Sequence, residues 1–151
     1  MSYNIKITYF GIVRSIASWA KVSRNILAEM LNLGIELNIY ERRGFLYDRS
    51  FRLGEMERYV DNRFRGDIVF TFEHPKNYIY LPKNTFNIGF LVYEFTRLPL
   101  LWVENINRYL SCVFVPSRFT YDVFLNSGVD SKKLKILRYG IAPNIYYKKS
   151  T

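Results

Sequence analysis

Polar side chains follow two apolar segments of the sequence, at the points where those segments end. Glu73 and His74 come directly after the run DIVFTF, and Glu94 and Arg97 come shortly after NIGFLV. An imidazole can be neutral or charged near neutral pH, so His74 could donate or accept a proton. Glu73 could orient a ligand hydroxyl, and Glu94 with Arg97 could make polar contacts to a ligand or brace a cleft. These four residues are candidates for a functional site, with His74 and Glu94 as the catalytic candidates and Glu73 and Arg97 as residues of the cleft.

Each candidate also has a purely structural interpretation. His74 precedes a proline and could be an ordinary loop residue. Glu94 and Arg97 could form a surface ion pair, worth less than about 1 kcal/mol. Trp102 lies at helical spacing from neighbouring leucines, so we predict that it packs in the core rather than stacking on a ligand.

Two strand-to-helix loops carry a second set of candidates. The loop GIVRSIAS begins at Gly11, and the free N–H groups of the following helix suit an anion. Arg14 would add charge and Ser15 a hydroxyl. The alternative is an ordinary turn with a capping serine. In the other loop, Ser117 is a predicted N-cap and Arg118 a candidate anion contact.

Apolar strands alternate with helical patterns along the chain. This order predicts an α/β fold: a Rossmann-like, open, mostly parallel sheet with helices on both faces. Ligands bind such sheets outside the carboxyl ends of the strands. That rule selects the loops 11–18, 41–44, 73–76, 94–97 and 116–119. The predicted strands are NIKITYFGI, IELNIY, DIVFTF, NIGFLVY, CVFVP and KLKILRYGI, and the helices are SWAKVSRNILAEMLNLG, PLLWVENINRYL and SRFTYDVFLNSGV.

Local signals add detail to this scheme. Ser18 is a predicted N-cap and Gly34 a predicted C′ residue of the first helix. The alternation in 35–40 predicts a strand near the sheet edge with one exposed face. A short helix is expected within 54–64, and 73–84 is expected to be a proline-containing loop.

The composition indicates one basic domain. The chain has 151 residues, 18% aromatic residues and a net charge of +9. Such a charge favours a polyanionic partner, namely nucleic acid, an acidic membrane surface or a phosphorylated small molecule. A solvated basic surface with no specific partner would give the same net charge. No run of like charges resembles a nucleic-acid-binding tail, which argues against nucleic acid.

The single cysteine, Cys112, excludes an intramolecular disulfide and is predicted to be a buried, inert thiol. The sequence shows no signal-peptide pattern and no apolar stretch of about 20 residues. We therefore expect a cytoplasmic protein, with possible peripheral contact to a membrane surface. Neither a metal site nor a cofactor is predicted, because metal-ligand clusters, Walker loops and a complete GxGxxG fingerprint are all missing from the sequence.

Three segments in series resemble the N-terminal domain of GT-B glycosyltransferases of the large retaining family four. They are YEFTRLPLLWVENIN, VFVPSRFTYDVFLNSGV and LKILRYGIAPNIY, and they follow in the order of that family. The resemblance covers nearly the whole chain. It implies that residues 1–151 form the acceptor-side domain of a glycosyltransferase, with the C-terminal donor-binding domain outside this sequence.

The resemblance also implies roles for the candidate residues. Gly11, Arg14 and Ser15 would lie beneath the phosphates of a nucleotide-sugar donor, although residues 12–14 are bulkier than is usual in the family. His74 would touch the sugar or assist at the acceptor, and the corner at Ser117 would border the cleft. The acceptor is expected to be phosphorylated or lipid-linked, and the domain alone is expected to be inactive.

Two other classes stay open from the sequence. One is a non-enzymatic, basic Rossmann-like module that binds nucleic acid or a partner protein. The other is a dinucleotide-dependent enzyme, which the missing glycine fingerprint disfavours.

Overall fold

Six parallel strands form one sheet in the computed structural model, which describes residues 5–44 and 46–140. The strand order is β2-β1-β3-β4-β5-β6, and every pairing is parallel. The predicted α/β class with an open parallel sheet is confirmed. The strands are β1 (Lys6–Gly11), β2 (Glu36–Glu41), β3 (Ile68–Thr71), β4 (Phe86–Phe90), β5 (Cys112–Val115) and β6 (Leu134–Ile136), and the helices are α1 (Ser18–Asn32), α2 (Leu100–Tyr109) and α3 (Arg118–Asn126).

Both faces of the sheet are covered by apolar side chains. Alternate residues of a strand point to opposite faces, so Tyr9 joins the core under α1 while Phe10 joins the core under α2 and α3. Leu27 of α1 and Ile106 of α2 are both fully buried against these two faces. Among the described residues, no helix is both long and apolar enough to cross a membrane.

The strand order reverses between β1 and β3. The chain moves outward from β1 to β2, returns across β1, and then moves in the other direction from β3 to β6. Consecutive right-handed crossovers then lie on opposite faces, so the loops that leave β1 and β3 diverge. The resulting crevice at the carboxyl ends of β1 and β3 is the place where such sheets bind ligands.

Helix ends agree with the sequence signals at three of four positions. Gly34 has φ 76° and follows α1, where the Gly34 and Ile35 N–H groups donate to the carbonyls of Leu31 and Met30. Gly128 ends α3 in the same way with φ 103°. Ser117 caps α3, since its Oγ accepts from the Thr120 N–H at 3.1 Å. The N-cap of α1 is Ala17 rather than the predicted Ser18.

The exposed face predicted for β2 is wrong, although its edge position is correct. Asn38 is only 5% exposed, and its Nδ2 donates to the Arg63 carbonyl at 2.6 Å. The ring of Phe64 lies 4.7 Å from that of Tyr40 on the same face. The returning segment 60–66 therefore covers side chains that alternation alone would leave in water.

Two other local predictions are refined. The segment 73–84, expected to be a loop, contains a 3-10 helix (Pro75–Tyr80), and the short helix expected within 54–64 is the 3-10 helix Gly54–Tyr59. Cys112 is half-buried in β5, and burial raises the pKa of its thiol, in agreement with an unreactive side chain.

Gly66 and Gly34 offer a matched test of this fold. Both have φ close to 77°, so alanine costs about 1–2 kcal/mol of backbone strain at either position. A Cβ at Gly66 would also lie 2.7 Å from the Lys6 carbonyl oxygen, whereas a Cβ at Gly34 would meet nothing within 4 Å. We expect Gly66→Ala to lower the free energy of unfolding by about 1–3 kcal/mol more than Gly34→Ala in urea titrations. Equal losses would contradict the packing of β1 against the Gly66 turn.

Candidate active site at the carboxyl edge of the sheet

A cavity of about 280 Å³ lies in the crevice between the ends of β1 and β3. Its walls come from the loops after β1, β2 and β3 and from the first turn of α1. Apolar side chains line one part, and a small group of charged and polar side chains lines the other. The lining residues are Ile12, Ala17, Trp19, Ala20, Arg42, Leu46, Phe72, Glu73, His74, Lys76 and Asn77.

A buried ion pair between Arg42 and Glu73 joins two walls of this cavity. Continuing the register of β1 by one residue places Ile12 between Arg42, beyond β2, and Glu73, beyond β3. Arg42 Nε lies 3.0 Å from Glu73 Oε2, in ion-pair contact but without the alignment of a hydrogen bond. Glu73 Oε1 accepts from the His74 N–H at 3.1 Å. Arg42 also donates to Asn77 Oδ1 at 2.9 Å.

Burial raises the pKa of the Glu73 carboxyl, while the charges of Arg42 and Lys76 oppose that rise. Glu73 is only 5% exposed, so its negative charge depends on these cations. The cavity thus has a net positive rim around one buried carboxylate.

His74 lies at the start of the 3-10 helix with one ring nitrogen already in use. Its Nδ1 accepts from the Lys76 N–H at 3.4 Å, which leaves the proton of the neutral imidazole on Nε2. The ring meets Trp102 edge to face at 4.1 Å between centroids. Burial lowers the pKa of His74, and the charges of Lys76 and Arg42 lower it further. A neutral imidazole with a free Nε2–H can donate a hydrogen bond to a ligand.

The predicted core position of Trp102 is confirmed, because this half-buried indole packs on the α2 core and on His74. Trp19, in contrast, lines the cavity, and its indole stacks on Phe72 at 4.8 Å. Trp19 therefore supplies an aromatic wall beside the charged residues.

The residues of the loop after β1 mainly make contacts within the protein. A Cβ on Gly11 would lie 2.4 Å from the hydroxyl of Tyr9, which explains a glycine at this position without a ligand. Arg14 Nε donates to Glu41 Oε2 at 3.0 Å, and its other nitrogens donate to Glu57 and to the Phe51 carbonyl. Anion binding by Gly11 and Arg14 stays a prediction.

Ser15 and Ser117 are both used in local hydrogen bonds. The Oγ of Ser15 accepts from the Ala17 N–H at 3.1 Å, and that of Ser117 accepts from Thr120. A role for either hydroxyl at a ligand stays a prediction.

Glu94, Arg97 and Arg118 lie at the same edge of the sheet but do not line the cavity. Glu94 and Arg97 are exposed in the loop after β4, and they form no ion pair with each other within the described ranges. Arg118 is exposed and pairs with Asp122 at 3.0 Å. Their predicted roles at a ligand also stay predictions.

The structure brings Glu73 and His74 together and adds three residues that the sequence did not single out. Arg42, Lys76 and Asn77 all line the cavity. Arg42 and Lys76 lie in the loops 41–44 and 73–76, which the predicted strand ends had already selected. That position was the signal by which the sequence could have identified them. Asn77 lies in the 3-10 helix that the sequence reading missed.

His74 is the only histidine, so its ring protons can be followed without ambiguity. We expect its NMR titration midpoint to lie below the ordinary value of about 6.5. In Lys76→Gln the midpoint should move upward, because one of the two nearby cations is removed. The matched control is Lys83→Gln, which removes the same charge at the opposite edge of the sheet and should leave the midpoint unchanged. A midpoint at or above the ordinary value would contradict the described environment.

The Arg42–Glu73 pair can be tested by stability. Arg42→Met leaves a buried carboxylate without its cation, and we expect a loss of about 3 kcal/mol in the free energy of unfolding near pH 7. The loss should shrink as the pH falls through the raised pKa of Glu73, because the protonated carboxyl needs no cation. The neighbouring Arg43→Met, at an exposed position, should change stability by less than about 0.5 kcal/mol. Equal effects of the two variants would show that the pair is unimportant.

Comparison with known proteins identifies the fold. No protein-family model matches the sequence, and neither does any curated protein. Among solved structures, Anabaena Alr3699/HepE in complex with UDP-glucose matches with a TM-score of 0.52 and 13% identity, over 94% of this chain and 46% of that chain. The complex of HepE with UDP and glucose gives 0.51 and 12% over the same shares. The chain thus spans about half of the HepE chain and has the fold of that part.

Proposed function

We propose that this chain is one half of a nucleotide-sugar glycosyltransferase of GT-B architecture. In this proposal the cavity at the ends of β1 and β3 receives the sugar and diphosphate of the donor. The observation that carries it is the position of the cavity, at the reversal of strand order, with cations, a histidine and a carboxylate converging there.

The fold comparison supports the same assignment. HepE holds UDP-glucose in one structure and UDP in another, and this chain covers 46% and 47% of those chains. A two-domain transferase would use the present domain as one wall of a cleft. The second domain, C-terminal to this one, would supply most of the donor-binding contacts.

The chemistry of the cavity suits a donor whose leaving group is a diphosphate. Charge accumulates on that group as the glycosidic bond breaks, and fixed cations such as Arg42 and Lys76 stabilise it. The Nε2–H of His74 would donate to a sugar hydroxyl, and Glu73 would hold Arg42 in place. We further propose a retaining reaction, on the family resemblance alone.

The remaining sequence-based candidates would act at the rim of the cleft. Glu94 and Arg97 would contact the acceptor or donor sugar, and Arg118 would approach a phosphate. These side chains are exposed at the carboxyl edge, where the second domain would close. Contact with a membrane surface and a lipid-linked acceptor stay predictions.

The test is release of UDP from UDP-glucose, measured on this chain and on the product of the complete reading frame. We expect no detectable turnover by the 151-residue chain and measurable turnover by the complete product. His74→Ala in the complete product should lower turnover by about 10²-fold, the scale of one catalytic group. Lys76→Gln should weaken donor binding, whereas Lys83→Gln at the opposite edge should not.

Wild-type turnover in His74→Ala would show that His74 and the cavity it lines have no role in the reaction. Absence of turnover by the complete product with any UDP-sugar would contradict the transferase assignment. The anomeric configuration of the product, read by NMR, tests retention separately.

A further inference from the structure

A second hollow, of about 450 Å³, lies beside the end of β2, and four of its ten lining residues are arginines. Arg43 and Arg49 come from the loop after β2, and Arg52 lies two residues before the 3-10 helix Gly54–Tyr59, which also lines the hollow. All three side chains are exposed. Within residues 5–44 and 46–140 none of the three has a carboxylate partner. Three guanidinium groups without a salt-bridge partner thus line one hollow, with Arg43 lying over the Tyr47 ring at 5.7 Å.

The fourth arginine of the hollow, Arg14, is already neutralised. It pairs with Glu41 at 3.0 Å and with Glu57, and its side chain is only 13% exposed. Hydrogen bonding to Arg14 lowers the pKa of Glu57 to about 2, so that carboxylate stays charged. Arg14 therefore fixes the wall of the hollow, and the positive charge open to a ligand belongs to the other arginines.

Glu41 provides a second and independent feature of the hollow. It is 4% exposed, and while its Oε2 accepts from Arg14, its Oε1 is buried without a hydrogen-bond partner. Leaving a buried carboxylate oxygen unpaired costs free energy. A ligand hydroxyl would satisfy this atom once the carboxylate turned it toward the hollow, since a carboxylate accepts but cannot donate.

We propose that this hollow binds an acidic saccharide, whose carboxylate contacts Arg43, Arg49 and Arg52 and whose hydroxyl donates to Glu41 Oε1. The saccharide is the acceptor of the transferase proposed above, and its identity as acceptor rests on that proposal. The hollow lies at the same edge of the sheet as the first cavity, and Glu41 and Arg42 are consecutive residues at the end of β2. A saccharide in the hollow and a donor sugar in the cavity would therefore bind at the same edge of the sheet.

The combination of groups selects this ligand class over simpler anions. Inorganic phosphate would satisfy the arginines, but its O–H groups belong to the charged group itself, so its approach to Glu41 would be opposed by repulsion between the two negative charges. A neutral sugar would satisfy Glu41 but leave the three guanidinium groups unused. The volume of the hollow falls within the usual range for small-molecule sites, roughly 300–1,000 Å³.

The experiment is a titration of the ¹⁵N-labelled 151-residue chain with D-glucuronate, without UDP or UDP-sugar, followed by amide chemical shifts. D-glucose and inorganic phosphate are titrated in parallel. We expect glucuronate to shift the amides of Glu41, Gly54, Val60 and Asn62, and the other two probes to shift them much less. The variant Arg49→Gln/Arg52→Gln should weaken glucuronate binding about tenfold, as for the loss of charged hydrogen bonds. The control Lys83→Gln/Arg108→Gln removes two charges at the amino edge and should bind like the wild type.

Several results would overturn the inference. Equal shifts with glucose would show that the arginines do not recognise the acid, and equal shifts with phosphate would reduce the hollow to an anion site. No shift with glucuronate, or equally weakened glucuronate binding in both double variants, would show that the hollow is not a saccharide site. None of these results depends on UDP-glucose, so the inference and the transferase proposal can fail separately.

Discussion

The ion pair between Arg42 and Glu73 joins the exits of two strands that are not neighbours. β1 lies between β2 and β3, so the two side chains meet across its end, beside Ile12. Removing Arg42 would leave the buried Glu73 carboxylate without its cation, which is costly. The pair thereby holds the walls of the first cavity together, and it places His74 and Lys76 at the rim.

A second charge network organises the neighbouring hollow. Arg14 ties the end of β1 to Glu41 of β2 and to Glu57 of the segment that returns toward β3. Because Arg14 is paired with two carboxylates, the unpaired positive charge of the hollow belongs to Arg43, Arg49 and Arg52. One edge of the sheet therefore carries two cavities, each lined by a buried carboxylate that has one oxygen without a hydrogen-bond partner.

The strands, helices and fold class were predictable because apolar periodicity and end signals agree, as at Ser117 and Gly34. The burial of Asn38 was not predictable, because the segment that covers it lies 25 residues further along the chain. The same limit applies to the site. Position after a strand identified Glu73 and His74, but the pairing of Glu73 with Arg42 joins residues far apart in sequence, and no local pattern reveals it. Arg14 looked available for an anion because its two carboxylate partners lie 27 and 43 residues further along the chain.

The central claim is that a sugar nucleotide binds against His74. The most direct test follows the ring protons of this single histidine while the 151-residue chain is titrated with UDP-glucose. We expect a saturable shift of the His74 resonances that is weaker in Lys76→Gln and unchanged in Lys83→Gln. Unperturbed His74 resonances at tens of millimolar UDP-glucose, about tenfold above the weak millimolar affinities of isolated sites, would contradict it.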